Sequence, residues 1–317
     1  MTTVAAGVFA CPSCRGELRS GANDLTCDSC GRTYPVVGGI PRFVEQPSGG
    51  SAQVQRVFDF EHRRYEDSWY TQFEPRLVEQ FLEECGLPRE LFAGKRVLDA
   101  GCGSGRWSYA LAELDADVVG VDLTAGGPES AHAVLGEREN VQFAQADLFA
   151  LPFRPGSFDF VMSWGVLHHT HSTKEAFAQL VPLVKPGGTL FVMVYELESR
   201  LRSAGTNALR FFMRRLSDER RYRACRLLVV RSSLVAKALS PFLIISYLPP
   251  DSPLDAATAQ FGLFDAYSPR YNHVHTVDEV KRWFEEAGFT DVTSIATSSQ
   301  AVRVRGTRLA GSHTSAT

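Results

Sequence analysis

The chain has 317 residues, 44% hydrophobic and 22% charged, the composition of a folded globular protein rather than of a disordered one. A formal net charge of −3 excludes a chain that is basic overall, of the kind that coats nucleic acid, while leaving room for a local basic patch. No charged-then-apolar leader opens the sequence, and its longest apolar run, near Leu234 to Leu248, is interrupted by Lys237 and Pro241. The expectation is a cytoplasmic protein without a membrane span, whose seven cysteines are thiols or metal ligands.

Four of those cysteines open the chain as two knuckles, CPSC (Cys11, Cys14) and CDSC (Cys27, Cys30), with twelve residues between them. Each CxxC turn offers two thiolates to one side of an ion, and four together match the tetrahedral preference of zinc. A set of four leaves no open coordination position, so the expected zinc is structural; redox chemistry at either pair is the alternative reading. The surrounding run, ending in YPVVGGIPRFV (Tyr34 to Val44), resembles the small zinc-ribbon family of methyltransferase activators. The ribbon is expected over residues 1–45, and the Pro/Gly/Ser-rich stretch EQPSGGSAQ marks 46–54 as a linker.

The next motif is KRVLDAGCGSGRWSYALAE, from Lys95. Val97 and Leu98 end a buried strand, Gly101, Gly103 and Gly105 make a tight turn, and Trp107 onwards has helical periodicity. A glycine turn between strand and helix lets a ligand approach the backbone closely. Arg106 stands where the dinucleotide fingerprint needs glycine, and Asp99 would repel a pyrophosphate there. An acid at that place suits a ligand carrying an ammonium group.

The pattern closely resembles the first motif of the class I S-adenosylmethionine-dependent methyltransferases, and the resemblance continues in order over about residues 55–310. It implies an α/β, Rossmann-like fold: a mixed seven-stranded sheet of order 3-2-1-4-5-7-6 with helices on both faces. ADVVGVDLT supplies a second strand ending in Asp122, whose carboxylate would grip the ribose hydroxyls of S-adenosylmethionine. NVQFAQADLFALPF supplies a third ending in Asp147, implied to contact the adenine amino group, with Leu148 beside the ring. With Asp99, Gly101, Cys102, Gly103, Gly105, Leu123 and Ser163 these residues form the implied cofactor set. Cys102 reads as a small filler of the glycine turn, and Trp107 as core.

SFDFVMSWGVLHHT gives the fourth strand and a loop carrying His168 and His169, and LVKPGGTLFVMVYE gives the fifth. His169 is a candidate for substrate contact or proton abstraction. Ahead of the first strand, Phe58, Tyr65, Trp69 and Tyr70 are candidates to cover the cofactor, with packing between ribbon and body as the alternative. The core is expected over residues 55–195, with its final helix and strand pair at 276–310 and a flexible tail at 311–317.

Between the parts of that core lies an insertion, residues 196–275, expected to form a helical substrate cap with an apolar inner and a basic outer face. Ten arginines stand between Arg200 and Arg231 against only Asp218 and Glu219, a local balance of +8 that leaves −11 on the remainder. Pairing of these arginines with the acidic body, an anionic substrate, RNA and a membrane surface are all open from sequence. The insertion ends in SPRYNHVHT, where Tyr271, His273 and His275 alternate. Thr276 and Glu279 form a capping box for a helix that starts at the carboxyl edge of the sheet, so the stretch is expected at the mouth of the pocket. Tyr271 and His273 are the further candidates for substrate binding or proton transfer, ahead of His275.

The leading expectation is therefore methyl transfer from S-adenosylmethionine to an O, N or C atom of a small molecule, one of specialised metabolism with apolar and anionic parts. An RNA methyltransferase using ribbon and arginines is the alternative. SWGVLH stands where amino-directed nucleic-acid enzymes carry an NPPY-like tetrapeptide, which favours the small molecule. A catalytically silent cofactor-binding activator of another protein is the third reading.

Overall fold

The computed structural model of the protein describes residues 6–44, 49–64, 74–197, 199–250, 252, 256–297 and 301–310. The cysteine-bearing segment folds as a four-stranded meander, β1 (Leu18–Ser20), β2 (Asp24–Cys27), β3 (Thr33–Val37) and β4 (Ile40–Pro41). Its own core is small, so it borrows apolar contact from the body. Phe9 stacks on Phe153 with ring centroids 5.8 Å apart, and Phe43 packs between Phe9 and Tyr34. Arg15 donates to the carbonyls of Leu151 and Phe153, and Ala10 N–H donates to Pro152 O.

A helix, α1 (Gly49–Arg64), follows. The stretch expected to be a linker thus becomes helical from Gly49. Tertiary contact overrides the weak helix propensity of its glycines and serines: the Gln53 side-chain amide donates to Ser268 O and accepts from Arg270 N–H. Of the aromatic candidates behind it, Tyr65, Trp69 and Tyr70 lie outside the described residues. Helix α2 (Arg76–Cys85) buries a stripe of Leu77, Val78, Phe81 and Cys85, and ends at Gly86 in the left-handed conformation.

The body then alternates strand and helix: β5 (Arg96–Ala100), α3 (Arg106–Ala112), β6 (Asp117–Asp122), α4 (Gly126–Leu135), β7 (Val141–Gln145), β8 (Phe158–Trp164), α5 (Thr173–Leu180) and β9 (Val184–Tyr195). The strands are near-continuous apolar runs because both faces are covered. After the insertion, α10 (Val277–Glu286) leads to the antiparallel pair β12 (Phe289–Ser294) and β13 (Ala301–Arg308). The insertion itself holds α6 (Arg200–Met213), α7 (Asp218–Cys225), β10 (Val229–Val230), α8 (Ser233–Leu239), β11 (Ser246–Tyr247) and α9 (Ala256–Tyr267).

The large sheet has seven strands in the order β12-β13-β9-β8-β5-β6-β7. Read from the other edge, this is the expected 3-2-1-4-5-7-6. The pairs from β7 to β9 are parallel, and β13 runs antiparallel to β9. Strand order reverses between β5 and β8, and a crevice opens at the carboxyl ends of these strands. The ribbon covers the sheet's exposed edge: Phe43 N–H donates to Gln145 O at 2.8 Å, and Arg42 bridges the same residue of β7.

The insertion departs from the expected polarity. Arg210 and Arg221 point inward, 3% and 2% exposed, and donate to backbone carbonyls of Ala266, Pro269, Met213 and Leu216. The expected pairing of its arginines with body carboxylates is not found among the described ion pairs. Instead Asp218 and Glu219 receive Arg56 and Arg64 from α1. Helix α8 buries no side chain, so its expected inner apolar face lies open.

Phe153 joins the ribbon to the body at full burial and stacks edge-on against Phe158. Phe153→Ala should therefore lower stability by about 3 kcal/mol through the cavity it leaves, measured as a drop in the denaturant midpoint.

Candidate functional site

At the crevice between β5 and β8 lies a cavity of about 330 Å³. Its floor is the glycine turn. Gly101, Gly103 and Gly105 have φ of 92°, 49° and 88°, a region other residues rarely adopt. A Cβ on Gly101 would stand 2.2 Å from the Val166 side chain, and one on Gly103 2.9 Å from the His62 ring. Asp122, at the end of β6, accepts from Gly103 N–H at 3.0 Å and from both the N–H and hydroxyl of Thr124. Asp147 accepts from Phe149 N–H at 2.9 Å, which turns the chain so that Leu148 and Phe149 line the wall.

Of the sequence-predicted cofactor residues, Gly101, Cys102, Gly103, Asp122, Leu123, Asp147 and Leu148 line this cavity. Asp99, Gly105 and Ser163 do not. Asp99 is buried behind the turn, accepts from the Ser108 hydroxyl at 2.8 Å, and burial pushes its carboxyl up to about 7. It therefore ties β5 to α3 and does not face the cavity with a charge. Ser163 donates to Ala100 O and stitches β8 to β5 in the same way.

The opposite wall comes from α1, α9 and the loop after β8. Helix α9 contributes Thr258, Phe261, Gly262 and Asp265, and it is the only insertion helix among the lining residues; α6 to α8 do not reach the cavity. His169 presents its ring here. Its Nδ1 lies 3.1 Å from Tyr271 O, which can only accept, so Nδ1 carries the proton and Nε2 the lone pair. Nε2 faces Asp265 Oδ1 at 3.5 Å, and Asp265 accepts a hydrogen bond from the Tyr195 hydroxyl. Burial holds His169 below the ordinary histidine range, an effect that Asp265 and the Tyr271 carbonyl only partly oppose.

Tyr271 lines the cavity, whereas His273 and His275 do not. His273 N–H donates to His168 O and its ring Nε2 sits 3.1 Å from Thr170 O. His275 pairs its backbone with Tyr195, and its ring lies between Thr173 and Glu279. His168 is fully buried between His169 and Tyr195, and burial drives it well below the ordinary range. These histidines shape the loop that holds His169.

Several lining residues, Glu61, His62 and Arg106 among them, escaped the sequence reading as site residues, while Trp107, read there as core, packs in the core and also lines the cavity. Glu61 and His62 face the cavity from α1, and Arg106 and Trp107 from the start of α3. Burial pushes the Glu61 carboxyl well above the usual carboxylate range, and Asp265 adds to it. Glu61 Oε2 and Trp107 Nε1 are buried without a hydrogen-bond partner among the described residues. Such orphaned groups on a cavity wall mark places where a ligand supplies the missing partner. Asp265 left one trace in sequence, a lone carboxylate in the apolar run of α9.

The four ribbon cysteines, none of which lines the cavity, converge on one point. Their sulfurs lie within 4.8 Å of one another, with Cys11–Cys30 at 3.7 Å and Cys14–Cys27 at 3.5 Å. Zinc bound at about 2.3 Å by four thiolates sets its sulfurs about 3.8 Å apart, so the donor set and spacing fit that ion.

A family model for a methyltransferase domain matches residues 97–188, and one for a Trm112p-like protein matches residues 8–39. The chain is 37% identical over 102 residues to the ubiquinone biosynthesis O-methyltransferase of Albidiferax ferrireducens, covering 31% of this chain and 40% of that protein. It is 35% identical over 100 residues to the demethylmenaquinone methyltransferase of Lactococcus lactis, covering 30% and 40%. A structure of Haemonchus contortus phosphoethanolamine N-methyltransferase 2, solved with phosphomonomethylethanolamine and S-adenosylhomocysteine, aligns at 17% identity and a TM-score of 0.48, covering 80% of this chain and 47% of that one. The matches to curated relatives span 25% to 60% of the relatives' own lengths.

Cys27→Ser should abolish stoichiometric zinc, read by elemental analysis of the purified protein. A chelator should lower the thermal midpoint of the native chain and leave that of the variant unmoved.

Proposed function

We propose that this chain, which joins a Trm112p-like module to a methyltransferase domain, transfers a methyl group from S-adenosylmethionine to an oxygen of a small, largely apolar acceptor. The observation that carries the reading is one cavity with a side-chain-free glycine floor and two strand-end carboxylates on one wall, and a tautomer-fixed histidine on the other. When bound, S-adenosylmethionine supplies an electrophilic methyl group on a sulfonium.

The ribose hydroxyls fall to Asp122 and the adenine amino group to Asp147, with Leu148 against the ring. Arg106 and the orphaned indole N–H of Trp107 suit the carboxylate of the methionine part. Zinc at Cys11, Cys14, Cys27 and Cys30 has no route to this chemistry and stiffens the ribbon.

The acceptor binds between Phe58, Met193, Phe261 and Tyr271, a mainly apolar space. His169 Nε2 takes the acceptor's proton as the methyl carbon approaches, and Asp265 stabilises the imidazolium that forms. The Tyr195 hydroxyl holds Asp265 in place. Glu61, kept protonated by burial, donates an O–H to the acceptor and so orients it. With α1 and α9 closing over the crevice, water is excluded and alignment supplies most of the acceleration. His273 is assigned to shaping the His169 loop rather than to proton transfer.

Transfer to oxygen is supported by the similarity to a ubiquinone biosynthesis O-methyltransferase. The test is incubation with labelled S-adenosylmethionine and phenolic acceptors, with products identified by mass; an absence of transfer to any hydroxyl together with methylation of RNA would reverse the assignment.

Asp122→Ala should weaken S-adenosylmethionine binding about tenfold or more, the weight of charged hydrogen bonds to two hydroxyls, measured by calorimetry; intact affinity would remove the ribose assignment. Because the folded pKa of His169 is depressed, the base stays neutral at pH values where free histidine is protonated. The acid limb of kcat should therefore lie below about 6.5. Asp265→Asn removes the carboxylate that raises this pKa, so the limb should move further down while kcat falls about tenfold to a hundredfold.

A further inference from the structure

The insertion's outer side is apolar where a solvated surface would be polar. Nine of the thirteen exposed large apolar side chains of the described residues lie between Leu201 and Tyr247. On α6, Leu201, Ala204, Ala208, Phe211 and Phe212 recur at helical spacing on the face opposite the buried Thr206, Arg210 and Met213. Phe211 and Phe212 are 52% and 64% exposed. The backbone of Phe242, whose ring is half-exposed, lies against Gly205 of the same helix. The preceding helix α8 carries Leu234, 77% exposed, and leads directly into Phe242. A patch of this extent needs a covering partner.

Charge decides which partner. Arg200, Arg214, Arg215, Arg220, Arg226, Arg231 and Lys237 are exposed and interleave with these apolar residues along the chain. Arg215 stacks over the Phe211 ring with its guanidinium 3.7 Å from the centroid, so the cation sits at the level of the apolar groups. A second copy of the chain would bring the same excess of positive charge to the contact and be repelled. Nucleic acid would use the arginines but gain little from leucine and valine. Apolar wedges ringed by arginine match the boundary between anionic headgroups and acyl chains.

We propose that the outer side of the insertion, built on α6, α8 and the Phe242 segment, docks the protein peripherally on anionic lipid surfaces. No helix among the described residues is long and apolar enough to cross a bilayer, so attachment is superficial and reversible. The lid helix α9 lies directly beneath, packed on α6 and α7. Docking would thus set the cavity's cover beside the membrane without involving any residue of the cavity.

The test is co-sedimentation of the purified chain, without cofactor, with phosphatidylglycerol–phosphatidylcholine vesicles and with phosphatidylcholine vesicles. Binding should favour the anionic vesicles and fall with salt. The double variant Phe212→Ser/Leu234→Ser should weaken it about tenfold, and Arg215→Gln/Arg220→Gln should remove the preference for anionic lipid. These side chains are exposed, so unchanged circular dichroism and unfolding midpoints show the fold intact. Failure to bind anionic vesicles at low salt would overturn the proposal. So would binding unaffected by Phe212→Ser/Leu234→Ser, or binding to single-stranded RNA that only the arginine variant weakens.

Discussion

The close packing of Gly101 against Val166 is the contact on which the site depends. A side chain at Gly101 would overlap Val166, and the residue's φ of 92° already disfavours one. That contact locks the turn after β5 to the turn after β8, two loops from neighbouring strands at the sheet's switch point. The first carries the Asp122-anchored amide of Gly103, and the second leads into His168 and His169. The cavity's two walls are thus spaced by a packing contact rather than by loop flexibility.

Around this point the buried ionisable groups have distinct tasks. Asp99 is turned away from the cavity, pushed up by burial and satisfied by Ser108, so it braces the strand–helix joint. Glu61 and Asp265 face inward beside His169, where low dielectric separates their behaviour: one carboxyl is driven towards its neutral form, the other is held by Tyr195 against the imidazole. A region with few charges compensated by solvent is where proton affinity is tuned most strongly. Carboxylates of the same residue type therefore serve as strut and as site groups according to what surrounds them.

Sequence reasoning reached the parts that obey local rules. Alternating strands and helices, glycine positions with positive φ, the Thr276 cap and the paired CxxC turns all follow from backbone chemistry within a few residues. It missed Gly49 to Val54, where a stretch rich in turn-forming residues becomes helical because Gln53 reaches the backbone near Ser268, over two hundred positions away. It also misjudged the insertion. Amphipathic spacing says that a helix has two faces but not which one is turned inward, and here Arg210 and Arg221 turn in while Phe211 and Phe212 turn out.

The sequence by itself determined the alternation of strands and helices, the glycine turn and the cysteine set, because each is written in short-range spacing that backbone geometry enforces; the strand order followed from the resemblance those motifs carry. Only the tertiary structure decided which ionisable groups face one another. Asp265 meets His169 across 96 positions of chain, and Tyr271 contributes a carbonyl rather than its hydroxyl to that ring. Such pairings are set by how helices pack on the sheet, where burial and direction depend on every neighbouring side chain at once, and no local pattern encodes that sum.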